Sequence, residues 1–162
     1  MAIAQALLTV VGRCVGAGDY DGVRRHTRRL IGLNYIVMIA YNGFILISMP
    51  FIFRVFGHSL SAESLAYGRL FGTIFCTAAM IIWIPAYCLP FALRAAGDGK
   101  YTLVISAIAM WFARVGIAYL LAYAFGVGVV CVWISMVCEW VFRATGYILR
   151  WRSGNWRKQR VI

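Results

Sequence analysis

The chain is expected to be an all-α integral membrane protein, a bundle of about five transmembrane helices, and three observations carry that expectation. Hydrophobic residues make up 63% of its 162 positions and charged residues only 13%, where a soluble domain is about half apolar and about a quarter charged. The apolar residues gather into five long runs, at 1–18, 30–53, 65–93, 101–125 and 127–149, and glycine, charge or both mark every interruption. These runs are apolar on all sides for about 20 residues, the length of a helix through a bilayer, whereas lipid-facing barrel strands would alternate over about ten.

The net charge of +11 threads the spans. Basic residues are not interleaved with aromatics over one surface, as a nucleic-acid groove requires. They fall instead in three connecting segments: Arg13, Arg24, Arg25, Arg28 and Arg29; then Arg94 and Lys100; then Arg150, Arg152, Arg157, Lys158 and Arg160. The alternate connections, 54–64 and 126–128, hold Arg54 as their clear cation. The positive-inside rule places the three basic segments in the cytoplasm, and this alternates correctly through all five spans to a cytoplasmic C-terminus.

Taken in order, run 1–18 reaches roughly 27 Å at about 1.5 Å per residue and has no basic region ahead of it, as a signal peptide would. The expectation is that Met1 falls inside a longer protein. Run 30–53 carries Asn34 and Asn42, with Pro50 expected to terminate it. Run 65–93 contains Pro85 and Pro90. Each proline removes an amide donor and frees a carbonyl four residues earlier, at Ile81 and Ala86, so that helix should bend. Such breaks line wet cavities in transporters, or are simply packed kinks. Runs 101–125 and 127–149 carry Arg114 and Glu139 at comparable depth, on helices of opposite direction. Glu139 also precedes Arg143 by four residues, the favourable order for an ion pair. Two roles are open to the pair: a salt bridge holding the last helices together, or a proton or substrate function.

Gln5, Asn34, Asn42, Thr73 and Thr77 are the other polar residues within spans, able to bond a neighbouring helix or a ligand. The Gly12/Gly16 and Gly68/Gly72 spacings read as helix packing inside one bundle. Tyr101, Trp151 and Trp156 flank basic segments as interfacial anchors. The five cysteines, Cys14, Cys76, Cys88, Cys131 and Cys138, are scattered without a CxxC pair and read as small hydrophobes, and His26 and His58 are isolated. No metal or cofactor site emerges.

Gly16-Ala17-Gly18-Asp19, with Tyr20-Asp21 after it and Ala96-Gly97-Asp98 further on, invites comparison with an intramembrane aspartyl protease. Asp19 and Asp21 share one connection instead of facing helices, and arginines crowd it, so the shared proton that a dyad needs has no place. Gly18 and Gly97 are better suited to end helices at positive φ, with Asp19 and Asp98 capping the helices that follow. Phosphate-loop, HExxH and GxSxG signatures are absent from the sequence, so an enzyme is not expected.

The glycine-aspartate connection with its arginines, "LPFALRAAGD" at 89–98, Trp111 with Arg114, and the closing "RSGNW" at 152–156 together resemble the multidrug and toxic compound extrusion (MATE) family. The resemblance runs from end to end and aligns the chain with the last five of that family's twelve helices. It implies most of the second lobe of a two-lobe antiporter that exports cationic or amphipathic drugs in exchange for Na+ or H+. The partners implied are membrane lipids, a small-molecule drug and the missing N-terminal lobe, in the inner (plasma) membrane. The tenth-helix acid of some branches has no counterpart in 65–93, where the nearest acid, Glu63, lies at the outer edge. Candidates for a substrate or ion pathway are therefore Gln5, Asn34, Asn42, Arg114 and Glu139, with Pro85 and Pro90 as a gating kink. Two alternatives stand beside this reading: a lipid-linked oligosaccharide flippase of the same superfamily, and a small structural protein that oligomerises.

Overall fold

The computed structural model describes residues 2–57, 61–126 and 128–158, and among them there is no strand. Met1, His58, Val127 and Arg160 lie outside the described residues. Each apolar run coincides with one helix: α1 Ala2–Gly16, α2 Tyr20–Phe56, α3 Ala62–Ala95, α4 at 99–125 and α5 Val130–Ser153. By length and composition, three of these, α2, α3 and α4, are able to cross a membrane. The 15 residues of α1 make a shorter apolar helix. The 24 of α5 enclose Glu139 and Arg143, and these charges lower its hydropathy.

Three boundaries differ from the sequence expectation. First, α2 begins at Tyr20, so Arg24, Arg25, Arg28 and Arg29 ride on a helix and not in a loop. Asp19 caps that helix by accepting from the Gly22 amide at 2.8 Å, and nothing in Arg24–Arg29 breaks it. At 37 residues and about 1.5 Å per residue, α2 is roughly 55 Å long, well beyond a hydrocarbon core of about 30 Å. Second, Pro50 does not terminate α2, which continues to Phe56. A single lost bond is cheaper than leaving the following backbone groups unpaired in lipid. Third, α5 extends to Ser153 and so includes Arg150 and Arg152.

The two Gly-Asp pairs are built alike up to the aspartate. Gly18 at φ +71° and Gly97 at φ +85° end α1 and α3. In both cases the aspartate amide reaches back five residues, to Cys14 and Leu93 at 2.9 Å, and the glycine amide reaches back three, to Val15 and Arg94 at 3.0 Å. Then they diverge. Asp98 makes no side-chain cap, contrary to expectation; its buried carboxylate takes both arms of Arg150, Nε at 2.6 Å and Nη2 at 3.2 Å. The bidentate guanidinium is a stronger partner than one amide. That hydrogen bond pushes the Arg150 guanidinium further up from its ordinary value.

Packing centres on α3. In its most apolar stretch 44% of the residues are buried, against 6% for α2 and 11% for α4. At the arginine-rich end, Leu7 and Val11 of α1, Val23 of α2, Leu89 and Leu93 of α3 and Tyr147 of α5 form the main core. Trp156 joins them at 1% exposure, stacked on Trp151 at 4.7 Å, which removes it from an interfacial anchoring role. Gly154, at φ +71°, turns the chain back to put it there. At the other end, a side chain on Gly68 would meet the Phe53 ring and one on Gly72 would meet Met49, so these glycines let α3 approach α2. Gly12 and Gly16 have nothing within 4 Å and mediate no such approach.

Candidate substrate and ion pathway

The prolines of α3 set the site. Pro85 and Pro90 remove two amides from a helix that must otherwise satisfy itself, and around them the backbone departs from α geometry. Ala79–Trp83 widens into a π-helical turn, and Cys88 separates two short α segments, Ile84–Tyr87 and Leu89–Ala95. The carbonyl of Ile81, whose donor Pro85 eliminates, accepts instead from the Tyr35 hydroxyl of α2 at 3.0 Å. One residue away on α2, the buried Asn34 amide donates to Cys88 Sγ at 2.8 Å. Cys88 is thus more than the small hydrophobe read from sequence. Ala4 of α1 packs on Ile84 and Cys88 and closes the break from a third side.

On the face toward α5, Tyr87 stacks with Trp83 at 5.1 Å and meets Trp140 edge-on at 6.3 Å. The Arg143 guanidinium lies 5.3 Å from the Tyr87 ring centre, within cation–π range. Arg143 is also half of the arrangement around Glu139. The Glu139 carboxylate is 1% exposed. Its Oε2 accepts from Arg114 Nη1 at 3.1 Å, and its Oε1 faces Arg143 Nε at 2.8 Å, an ion contact in which the N–H is not aligned as a hydrogen bond. The pairing expected from depth is therefore formed, with both guanidiniums on one carboxylate. Arg114 stands in a π-helical stretch, Ala109–Gly116, which widens α4 where it faces α5.

The two polar groups are joined through Tyr87, so α2, α3, α4 and α5 all contribute to one region. Ile81 lies 14 residues from the Ala95 end of α3 and Glu139 lies 14 from the Ser153 end of α5. At about 1.5 Å per residue that is roughly 21 Å from the arginine-rich end of each helix, at mid-membrane depth. Formally two positive charges face one negative. Arg114 is the accessible member at 42% exposure, against 15% for Arg143. An incoming cation would have to displace a guanidinium from Glu139, and Arg114 is the one with room to move.

The other candidates separate from this region. Gln5 is exposed on α1, where its backbone carbonyl accepts from Thr9 at 3.3 Å. Asn42 is buried but bonds within its own helix, to the Met38 carbonyl at 2.9 Å. Thr73 and Thr77 likewise bond carbonyls one turn back, at 2.8 Å each. Sequence reasoning missed Tyr35, Tyr87, Trp140 and the sulfur of Cys88, which have no polar pattern to flag them. It also passed over Arg69, whose guanidinium lies 5.7 Å from the Phe53 ring centre near the far end of α3. No cluster of metal-binding side chains occurs among the described residues.

Comparison with known proteins adds to this geometry. A family profile described as MatE matches residues 1–120. The chain is similar to a probable multidrug resistance protein NorM of Thermotoga maritima, 26% identical over 164 residues, covering 99% of this chain and 34% of that protein. It is also similar to the uncharacterized transporter YisQ of Bacillus subtilis, 27% identical over 165 residues, covering 96% of this chain and 33% of that one. The chain thus spans about a third of the length of the curated relatives it matches. No solved structure gives a significant match.

Proposed function

Because the chain belongs to the MatE family, we propose that it forms most of the second lobe of a secondary transporter that exports cationic or amphipathic compounds in exchange for Na+ or H+. The observation that carries the reading is the buried Glu139 at mid-membrane depth, held by Arg114 and Arg143 beside the proline-broken α3. Intramembrane carboxylates are costly and are retained where ions or substrates pass. In this reading Arg114 occupies the place of the cation in one state and swings away in another, and Pro85 and Pro90 provide the bend that lets α3 follow. The remaining lobe completes the pathway, and the C-terminus lies in the cytoplasm of a plasma-membrane protein. The similarity to proteins named as a multidrug resistance protein and a transporter supports a transport role over an enzymatic one.

The test is Glu139→Gln in the full-length transporter, with ethidium efflux followed from proteoliposomes under imposed Na+ or H+ gradients. Hydrogen bonds to a buried charge are worth about 1.5–3 kcal/mol, so a loss of about 10- to 100-fold in gradient-driven efflux is expected. Unchanged efflux at normal expression would make Glu139 a structural ion pair and remove the carrying observation. Whichever gradient drives ethidium out identifies the coupling ion.

A further inference from the structure

At the arginine-rich end, α2 and α5 splay apart over the lower part of α3 and leave a cleft of about 800 Å3. Arg24, Arg25, Arg28 and Arg29 of α2 line one side of its mouth and Arg152 of α5 the other. Among the described residues the ion pairs involve Arg114, Arg143 and Arg150, and none of these five cleft arginines has a carboxylate within 4.0 Å. Their positive charge is therefore not neutralised by the described part of the chain, and it repels cations, so this cleft is not on a route for cationic compounds.

Deeper in, the walls change character to Ile31, Leu89, Ile148 and the ring of Pro85. Thr27 sits at the change. It lines the cleft at 2% exposure, and its hydroxyl oxygen is buried without a hydrogen-bond partner in a helix that has no use for it. An orphan hydroxyl of this kind costs stability unless something binds it. A free anion would satisfy only the mouth. The gradient from guanidiniums through one hydroxyl to an apolar wall matches an amphiphile with an anionic head and a hydrocarbon tail.

We propose that this cleft binds an anionic phospholipid, its phosphate on the arginines and the Thr27 hydroxyl and an acyl chain along Ile31, Leu89, Ile148 and Pro85. Guanidiniums suit phosphate because their paired N–H groups match its oxygens. Basic clusters between helices on one side of a membrane recruit anionic headgroups at about 1 kcal/mol per charge. The inference rests on the membrane-embedded fold and the cleft, and it is independent of whether Glu139 couples transport.

Native mass spectrometry of the full-length chain in mild detergent tests it, with phosphatidylglycerol and phosphatidylcholine of identical acyl chains as probes. Phosphatidylglycerol is expected to bind at least about 10-fold more tightly, and Arg28→Gln with Arg152→Gln to weaken it about 30-fold, two charges at about 1 kcal/mol each. Arg13→Gln with Lys100→Gln, the same charge change outside the cleft, should weaken it less than 3-fold on the same basis. Thr27→Val keeps the shape and should weaken phosphatidylglycerol several-fold without lowering the melting temperature in lipid-free detergent. Equal binding of the two lipids, or equal losses in the two double variants, would overturn the proposal. So would competition by glycerol phosphate as effective as by the intact lipid, which would make the cleft a site for soluble anions.

Discussion

Replacing Tyr35 with phenylalanine removes one oxygen and leaves the ring in place, and its cost tells whether the hydroxyl serves the carbonyl that Pro85 orphans. That hydroxyl donates to the Ile81 oxygen at 3.0 Å, about midway along both helices. Interhelical hydrogen bonds in membranes average only about 0.6 kcal/mol, with a ceiling near 1.7, because the separated groups usually find other partners. Ile81 has fewer alternatives, since the amide four residues on is the one Pro85 lacks. The upper end applies, so Tyr35→Phe should cost about 1.5 kcal/mol of stability. Pro85→Ala restores the amide, and in that background the same Tyr35→Phe should cost less than about 0.5 kcal/mol, a coupling of about 1 kcal/mol. Equilibrium unfolding in one detergent mixture measures all four proteins of the cycle. An equal cost of Tyr35→Phe in both backgrounds would refute the reasoning, because the hydroxyl would then be stabilising something other than the freed carbonyl.

The same unfolding measurement checks two further contrasts. Arg150→Ala should destabilise the protein by about 3–5 kcal/mol, since it strands the Asp98 carboxylate at 3% exposure, while Asp98→Asn should cost less because it leaves only an arginine that is 20% exposed. Arg150→Lys should recover only part of the loss, a single ammonium being unable to span both oxygens. Gly68→Ala should cost about 1 kcal/mol, since the new methyl would press on the Phe53 ring at 3.0 Å. Gly12→Ala, with nothing within 4 Å, should be neutral or stabilising by up to about 1 kcal/mol through helix propensity.

What the residue order reveals and what it hides follow from how local each contact is. Helix count, the positive-φ glycines and the Asp19 cap depend on neighbours within a few residues, and all were readable. Glu139 and Arg114 are 25 apart in sequence, yet a short turn and equal depth brought them within reach of arithmetic. Asp98 and Arg150 are 52 apart, at the open end of the same α4–α5 hairpin, so the residue that its neighbours marked as a cap was claimed by a stronger partner from a distance. Tyr35 and Cys88 were illegible for another reason. Their polar atoms become important only because a proline elsewhere leaves a carbonyl or a gap, and no composition signal marks the residue that fills it.

The distribution of these contacts along α3 bears on how it can move. Its far segment, Ala62–Ala78, is held to α2 through the glycine approach at Gly68 and Gly72, and its near segment, Leu89–Ala95, is held by the main core. Between them, Ala79, Ala86 and Cys88 present small side chains to Trp140 and Ala4, and the specific ties are Tyr35 to Ile81, Asn34 to Cys88 and Arg143 over Tyr87. Small side chains interlock less than leucines do, and the larger Trp83, Ile84 and Tyr87 carry most of the packing of this stretch. Polar ties worth about 0.5–2 kcal/mol each can be exchanged without unpacking a core. In the proposed transport cycle, 79–88 would serve as the joint between the two halves of α3. Displacing Arg114 from Glu139 would be felt there first, because Arg143, the other guanidinium on that carboxylate, rests on Tyr87.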